Sequence, residues 1–175
     1  MKNKLETIAL GGGCHWGTEA VFQSLKGVQK ASQGYVASKG VVTSFSEAVL
    51  VYFNPIQISL KVLLSVHLHT HKSTSLHSIR DNYRSAVYTF SDKQALVVAK
   101  ILNSHQAEFE EQLITKRYPF SEFKPSRKQL LNYYYSNPSK PFCETFIKPK
   151  LQILHDKFRA NIALNRLQIP TDPLS

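Results

Sequence analysis

Residues 6–28, ETIALGGGCHWGTEAVFQSLKGV, decide how the chain is read. The apolar run ending at Leu10 stops at three glycines, which predicts a strand over 5–10 entering a tight turn where glycine supplies φ > 0. From Thr18 the period changes. Val21, Phe22 and Leu25 recur at helical spacing, with Gly27 expected at the C′ position that stops the helix. Outward from this unit, VQKASQGYV (28–36) and SEAVLVYF (46–53) read as strands, the second closed by Asn54-Pro55. ISLKVLLSVHLHTH (58–71) reads as a helix with Ile58, Val62, Leu63 and Val66 on one face. YRSAVYTF (83–90) is strand-like, and a long helix is expected from Ser91 towards Phe109. LITKRYPF (113–120) reads as a strand, RKQLLNYYYSNP (127–138) as a short helix, and 149–165 as helical. Strands interleaved with helices and hairpin-like neighbours predict an α+β domain, two layers with a mixed sheet.

Composition narrows the class. The chain has 175 residues, 22 Lys+Arg against 12 Asp+Glu for a net charge of +10, 42% hydrophobic residues, ten Phe and eight Tyr. One domain with a real core is the expectation, and disordered, collagenous and disulfide-framework proteins are excluded. No apolar run approaches the roughly 18 residues of a bilayer span, and MKNKLETIAL lacks the apolar stretch of a signal peptide, so a cytoplasmic location and no membrane partner are expected. The basic residues are scattered rather than gathered into a run with interleaved aromatics, which predicts a solvated basic surface and no nucleic-acid partner.

The chemistry concentrates at Cys14. A cysteine at a strand-to-helix turn meets free N–H groups and the positive end of the helix dipole, a setting that favours thiolate and predicts a depressed pKa. Competing motifs fail: no Lys-Ser/Thr follows the glycines as in a P-loop, the residue six beyond Cys14 is Ala20 rather than a phosphatase Arg, and the residue three beyond is Gly17 rather than a second cysteine. A nucleophile and a buried structural cysteine both remain open on the residues alone.

Five segments in order then resemble one family. GGGCHWGTEAVF is similar to the GCFWGxEAxF signature of the type A peptide methionine sulfoxide reductases (MsrA). GYVAS is similar to its GYxGG, SFSEAVLVYFNP to its GHAEVVxVxYDP, DNYRSAVY to its TQYRSAIY, and NPSKPFC to its NPxGYC. The resemblance implies a ferredoxin-like core of the MsrA type, a catalytic domain over 1–150 and a C-terminal helical tail over 151–175. It implies thiol-dependent reduction of methionine-S-sulfoxide, free or in proteins, by a monomer without cofactor, with thioredoxin as external reductant.

Carried over residue by residue, Cys14 is the nucleophile, Glu47 the acid serving the sulfoxide oxygen, and Tyr35 and Tyr83 the hydroxyls that hydrogen-bond it. Trp16 is the wall for the substrate methyl group, with His15 beside it in the substrate pocket. Cys143 is the resolving thiol, closing a Cys14–Cys143 disulfide from a segment that Pro138 and Pro141 mark as loop. A Glu in this role is expected to have a raised pKa from apolar surroundings.

Four positions depart from the pattern. His15 stands for the family's Phe and Phe45 for its His; SRKQLLNYYY replaces acidic and His residues before NPSKPFC. The family's Asp ahead of the YRSA tyrosine falls on Ser78, with Asp81 out of register and unassigned. His67, His69 and His71 suggest a metal at first sight, but on a helix successive pairs diverge by about 200°, so no metal is expected. Two rival functions follow: a redox sensor or oxidised-Met binder on this fold, and a basic nucleic-acid-binding module with a structural Cys14.

Overall fold

The structure, a computed structural model, describes residues 4–40, 42–76 and 82–163. Five strands and five helices follow in the order β1 (Glu6–Gly11), α1 (His15–Gln23), β2 (Val28–Ser38), β3 (Ser46–Phe53), α2 (Leu60–His69), β4 (Ala86–Thr89), α3 (Asp92–His105), β5 (Lys116–Pro125), α4 (Tyr133–Ser136) and α5 (Lys148–Lys157). The sheet is mixed, as expected: β4 and β5 run parallel and every other pair antiparallel. It also closes on itself in the order β1-β3-β2-β5-β4, with β4 returning to β1. β5 achieves the closure by serving two partners in succession, since Lys116–Pro119 pair with β4 and Phe120–Pro125 with β2.

Both faces of the central strands are buried, which is why their sequences read as near-continuous apolar runs. Ile8, Leu10, Val49, Val51 and Val87 face the helices, where Phe22 of α1, Leu63 and Leu64 of α2 and Leu151 and Leu154 of α5 complete the main core. Their neighbours Ala9, Ala48, Leu50, Ala86 and Tyr88 form a second cluster on the opposite face. Helix α5 therefore crosses residue 150 as part of the core, and Ile162 beyond it bridges to Leu25.

Element boundaries shift from the sequence reading for local reasons. α1 begins at His15, not Thr18, because Cys14 already serves as its N-cap; the Cys14 carbonyl accepts from Gly17 N–H at 3.1 Å and Thr18 N–H at 3.3 Å. It ends at Gln23, and Gly27 (φ +87°) makes the later turn into β2 instead of the C′ stop. α2 and α3 are capped by Ser59 and Ser91, whose hydroxyls accept from Val62 and Gln94 N–H groups. α3 stops at His105, with a 3-10 turn over Gln106–Glu108 completing the expected run. The helix expected over 127–138 is broken into a 3-10 turn (Lys128–Leu130), a left-handed Asn132 (φ 57°) and α4. At the break, Glu19 of α1 accepts from the two successive N–H groups of Asn132 and Tyr133.

Among the described residues no helix is long and apolar enough to cross a membrane.

Candidate active site

The site is built where β1 gives way to α1. The three glycines before Cys14 were expected to supply positive φ, but none adopts it. Two of them are needed for closeness instead: a Cβ on Gly12 would lie 2.4 Å from the His71 ring, and one on Gly11 3.0 Å from the carbonyl oxygens of Arg84 and Glu47. The turn is thereby pressed against the start of β3, which carries Glu47. A second stitch brings in the segment before β4: Glu47 N–H donates to Asn82 O (3.0 Å), and Arg84 N–H donates to Ser46 Oγ (2.8 Å). Tyr83 sits between those two anchors. Tyr35 of β2 is directly opposite Glu47 in the β2–β3 ladder.

These groups act on one another electrostatically. The charge of Glu47 is the leading cause of a raised Tyr83 pKa, with Cys14 and Tyr35 acting in the same direction. Burial raises the Glu47 carboxyl to about 7, against an opposing hydrogen bond from the His15 main-chain N–H. Its Oε2 is buried without a hydrogen-bond partner among the described residues. The elevated acid expected from sequence is therefore present.

Cys14 departs from expectation. Burial pushes its thiol up to about 11, and the negative charge of Glu47 adds to that; the N–H groups of Trp16 and Gly17 and the Lys150 ammonium pull the other way and are outweighed. The helix N-terminus does favour the thiolate, but desolvation wins.

His15 lies beside Trp16, with ring centres 6.4 Å apart, and is turned towards Glu47. Its ring is 2% exposed, with Nδ1 2.8 Å from Gly34 O and Nε2 3.3 Å from Glu47 Oε1. It packs edge-on against Tyr35 at 5.2 Å, and burial lowers its pKa. Trp16 turns the other way, stacked on Tyr133 (4.1 Å, 12°) and edge-on to Phe142 (5.3 Å, 82°).

This aromatic group joins the two cysteine-bearing turns. Cys143, next to Phe142, is fully buried, with Sγ 3.6 Å from Asn137 O and its pKa raised by burial. It begins a π-turn over Cys143–Ile147 that leads into α5, not a loop. Pro141 suits the first turn of a helix, where its missing N–H costs nothing. Both cysteines are free thiols, and the Tyr133 hydroxyl has its pKa raised by burial first and then by the charges of Cys143 and Cys14.

Tyr133 and its anchor escaped the sequence reading. Glu19, 2% exposed, accepts from Asn132 N–H and Tyr133 N–H at 3.1 Å each and so holds Tyr133 against Trp16. The acidic residue five beyond the cysteine and the YYY triplet were the available signals, but only the fold pairs them. Lys150 was missed as well: it lies along Gly17 and hydrogen-bonds Thr70 O. Phe45, in place of the family's His, lies under Lys124 (4.2 Å from ring centre to Nζ).

His67 and His71 share one side of α2 and its end, with ring centres 4.2 Å apart, while His69 diverges to pair with Glu108 at 3.4 Å. No group able to hold a metal ion is found among the described residues. Ser78 and Asp81 lie outside the described residues.

Cys14 on its strand-to-helix turn, the buried Glu47 carboxyl and Tyr83 act on one another electrostatically, and Tyr35 lies opposite Glu47. The family model for peptide methionine sulfoxide reductase matches residues 6–162. A relative named "Peptide methionine sulfoxide reductase MsrA" from Psychrobacter sp. (strain PRwf-1) is 32% identical, covering 91% of this chain and 99% of its own. The reduced form of Mxr1 from Saccharomyces cerevisiae has a similar fold (TM-score 0.72, 24% identity, 83% of this chain and 93% of the other). So does Mxr1 in complex with Trx2 (TM-score 0.61, 24% identity, 74% and 86%). The chain belongs to the peptide methionine sulfoxide reductase family, oxidoreductases named for their action on methionine sulfoxide.

Proposed function

We propose that the protein reduces methionine-S-sulfoxide, free or in proteins, to methionine through a Cys14 sulfenic acid. The observation that carries this reading is the convergence of Cys14 with Glu47, a carboxyl that burial keeps partly protonated near neutral pH. An oxide is a poor leaving group until it receives a proton, so an acid of this strength beside the thiol is what the reaction requires. Cys14–SH plus sulfoxide gives Cys14–SOH plus sulfide: the cysteine sulfur loses two electrons, the sulfoxide sulfur gains them, and the thiol proton ends on the transferred oxygen. Tyr35 and Tyr83 orient that oxygen, and Trp16 with Tyr133 offers an apolar surface for the methyl group.

The sulfenic acid then condenses with Cys143–SH, releasing water and forming the Cys14–Cys143 disulfide. Because Cys143 is buried at the head of a π-turn, this step requires the 137–147 segment to open. A π-turn is a weak point in a helix, which suits that movement. Two electrons from an external dithiol restore the pair, and thioredoxin is the proposed donor; the complex of the yeast relative with Trx2 supports it.

The test is turnover of the two epimers of a methionine sulfoxide peptide with thioredoxin recycling. Consumption of the S epimer alone is expected, abolished by Cys14→Ser and limited to one turnover by Cys143→Ser. No consumption of either epimer by the wild type would overturn the reading and leave a redox sensor as the better account.

A further inference from the structure

The geometry points to His15 as a positioning residue for the acid: we propose that His15 Nε2 and Glu47 Oε1 hold one proton between them. This deepens the reductase reading and rests on it only for its role in the reaction.

Tautomer logic carries the argument. Gly34 O can only accept, so Nδ1, 2.8 Å away, carries a hydrogen. In a neutral ring Nε2 is then a bare lone pair, and it faces Glu47 Oε1 at 3.3 Å. Two lone pairs at that separation in a buried site repel. The contact is favourable only when a proton lies between them, on the carboxyl or on the ring. The Ser126 hydroxyl, with Oγ 3.5 Å from Nε2, is hydrogen-bonded to that nitrogen and competes for the same lone pair. Burial disfavours both an imidazolium and a carboxylate here, so the resting pair is the neutral one, Oε1–H···Nε2.

Such a pair leaves Oε2 bare, without a hydrogen-bond partner among the described residues. As Oε2 takes the Cys14 thiol proton, the Oε1 proton passes to Nε2, and the carboxyl stays neutral while the thiolate forms. Oε2–H then protonates the sulfoxide oxygen during attack by the thiolate sulfur. The pair ends as carboxylate and imidazolium, with the one proton it began with. A Phe at position 15 offers no such second site.

The titration of this pair is read against its surroundings. Cys14 lies on the α1 cap, Tyr35 on β2, Tyr83 before β4, Lys124 of β5 over Phe45, and Lys150 of α5 beside the Cys14 turn.

The experiment is an NMR pH titration of the full-length reduced protein, following the His15 ring nitrogens and the Glu47 carboxyl carbon. Nδ1 is expected to remain protonated throughout, and His15 and Glu47 to report the same apparent midpoint, as strongly coupled sites do. In Glu47→Gln the His15 ring is expected to show no titration between pH 6 and 8. Separate midpoints in the wild type, or an unchanged His15 titration in Glu47→Gln, would overturn the proposal. His15→Phe supplies an independent check, since the Glu47 midpoint must move if the pair is coupled. The readout needs no turnover. Loss of all sulfoxide reduction with the coupled titration intact would remove the reductase reading alone.

Discussion

Alkylation of Cys14 as a function of pH tests the balance between burial and the helix N-terminus. The thiol is pushed from an ordinary 9.0 to about 11. At pH 7 the resting thiolate is then about one part in 10⁴, against about one in 100 for an unshifted cysteine, an approximately hundredfold deficit. Burial is the largest cause and ionised Glu47 a smaller one, so Glu47→Gln is expected to lower the midpoint while leaving it above 9.0. The assay is the rate of iodoacetamide modification of Cys14 in a Cys143→Ser background, resolved by mass spectrometry from pH 6 to 12. A wild-type midpoint at or below about 8.5, the value of an unperturbed thiol, would refute the reasoning. A high midpoint carries a functional consequence: the proton needed at the sulfoxide oxygen is still on the nucleophile when substrate arrives, and the free enzyme is protected from indiscriminate oxidation.

Three further expectations follow from the same contacts. Glu47 is raised from 4.5 to about 7, so the folded state holds a proton that the unfolded state releases; the associated stability is present below 4.5 and lost as pH rises through 7. Denaturant titrations should show wild type losing roughly 3 kcal/mol between pH 4.5 and 8 relative to Glu47→Gln, each unit being about 1.4 kcal/mol; parallel curves would sink the idea. Glu19→Ala strands the Asn132 and Tyr133 N–H groups, which predicts a loss of about 2 kcal/mol and an altered emission of Trp16 as Tyr133 leaves its face. Unchanged emission would show that Glu19 does not hold that stack. Gly34→Ala places a Cβ 2.2 Å from Lys124 O and 2.5 Å from the Phe123 ring, so thermal melts should show about 3 kcal/mol or more of destabilisation from separation of β2 and β5; a normal melting temperature would contradict this.

The succession of elements and the chemistry-bearing positions were legible in the residues alone. Periodicity and punctuation are local, so the β1–α1 turn, the paired strands around 28–53 and the capped helices from Ser59 and Ser91 were legible. The motif at Cys14 and the resemblance along the chain named Glu47, Tyr35, Tyr83 and Cys143 as members of one site.

Features that depend on partners distant in the chain emerged only in the folded molecule. Closure of the sheet rests on β5 changing partner midway along its length. The N–H groups at the Asn132 break find their acceptor in Glu19, more than a hundred residues earlier. Glycines read as conformational freedom proved to be spacing for His71 and the β3 backbone. The contacts of the His15 ring with Gly34 O and Glu47 join it to β2 and β3, which no local pattern shows. The sign of the Cys14 shift depended on a sum of burial, dipole and charge that no local pattern contains. Desolvation is a property of everything packed around an atom, and the sequence around Cys14 showed only the dipole.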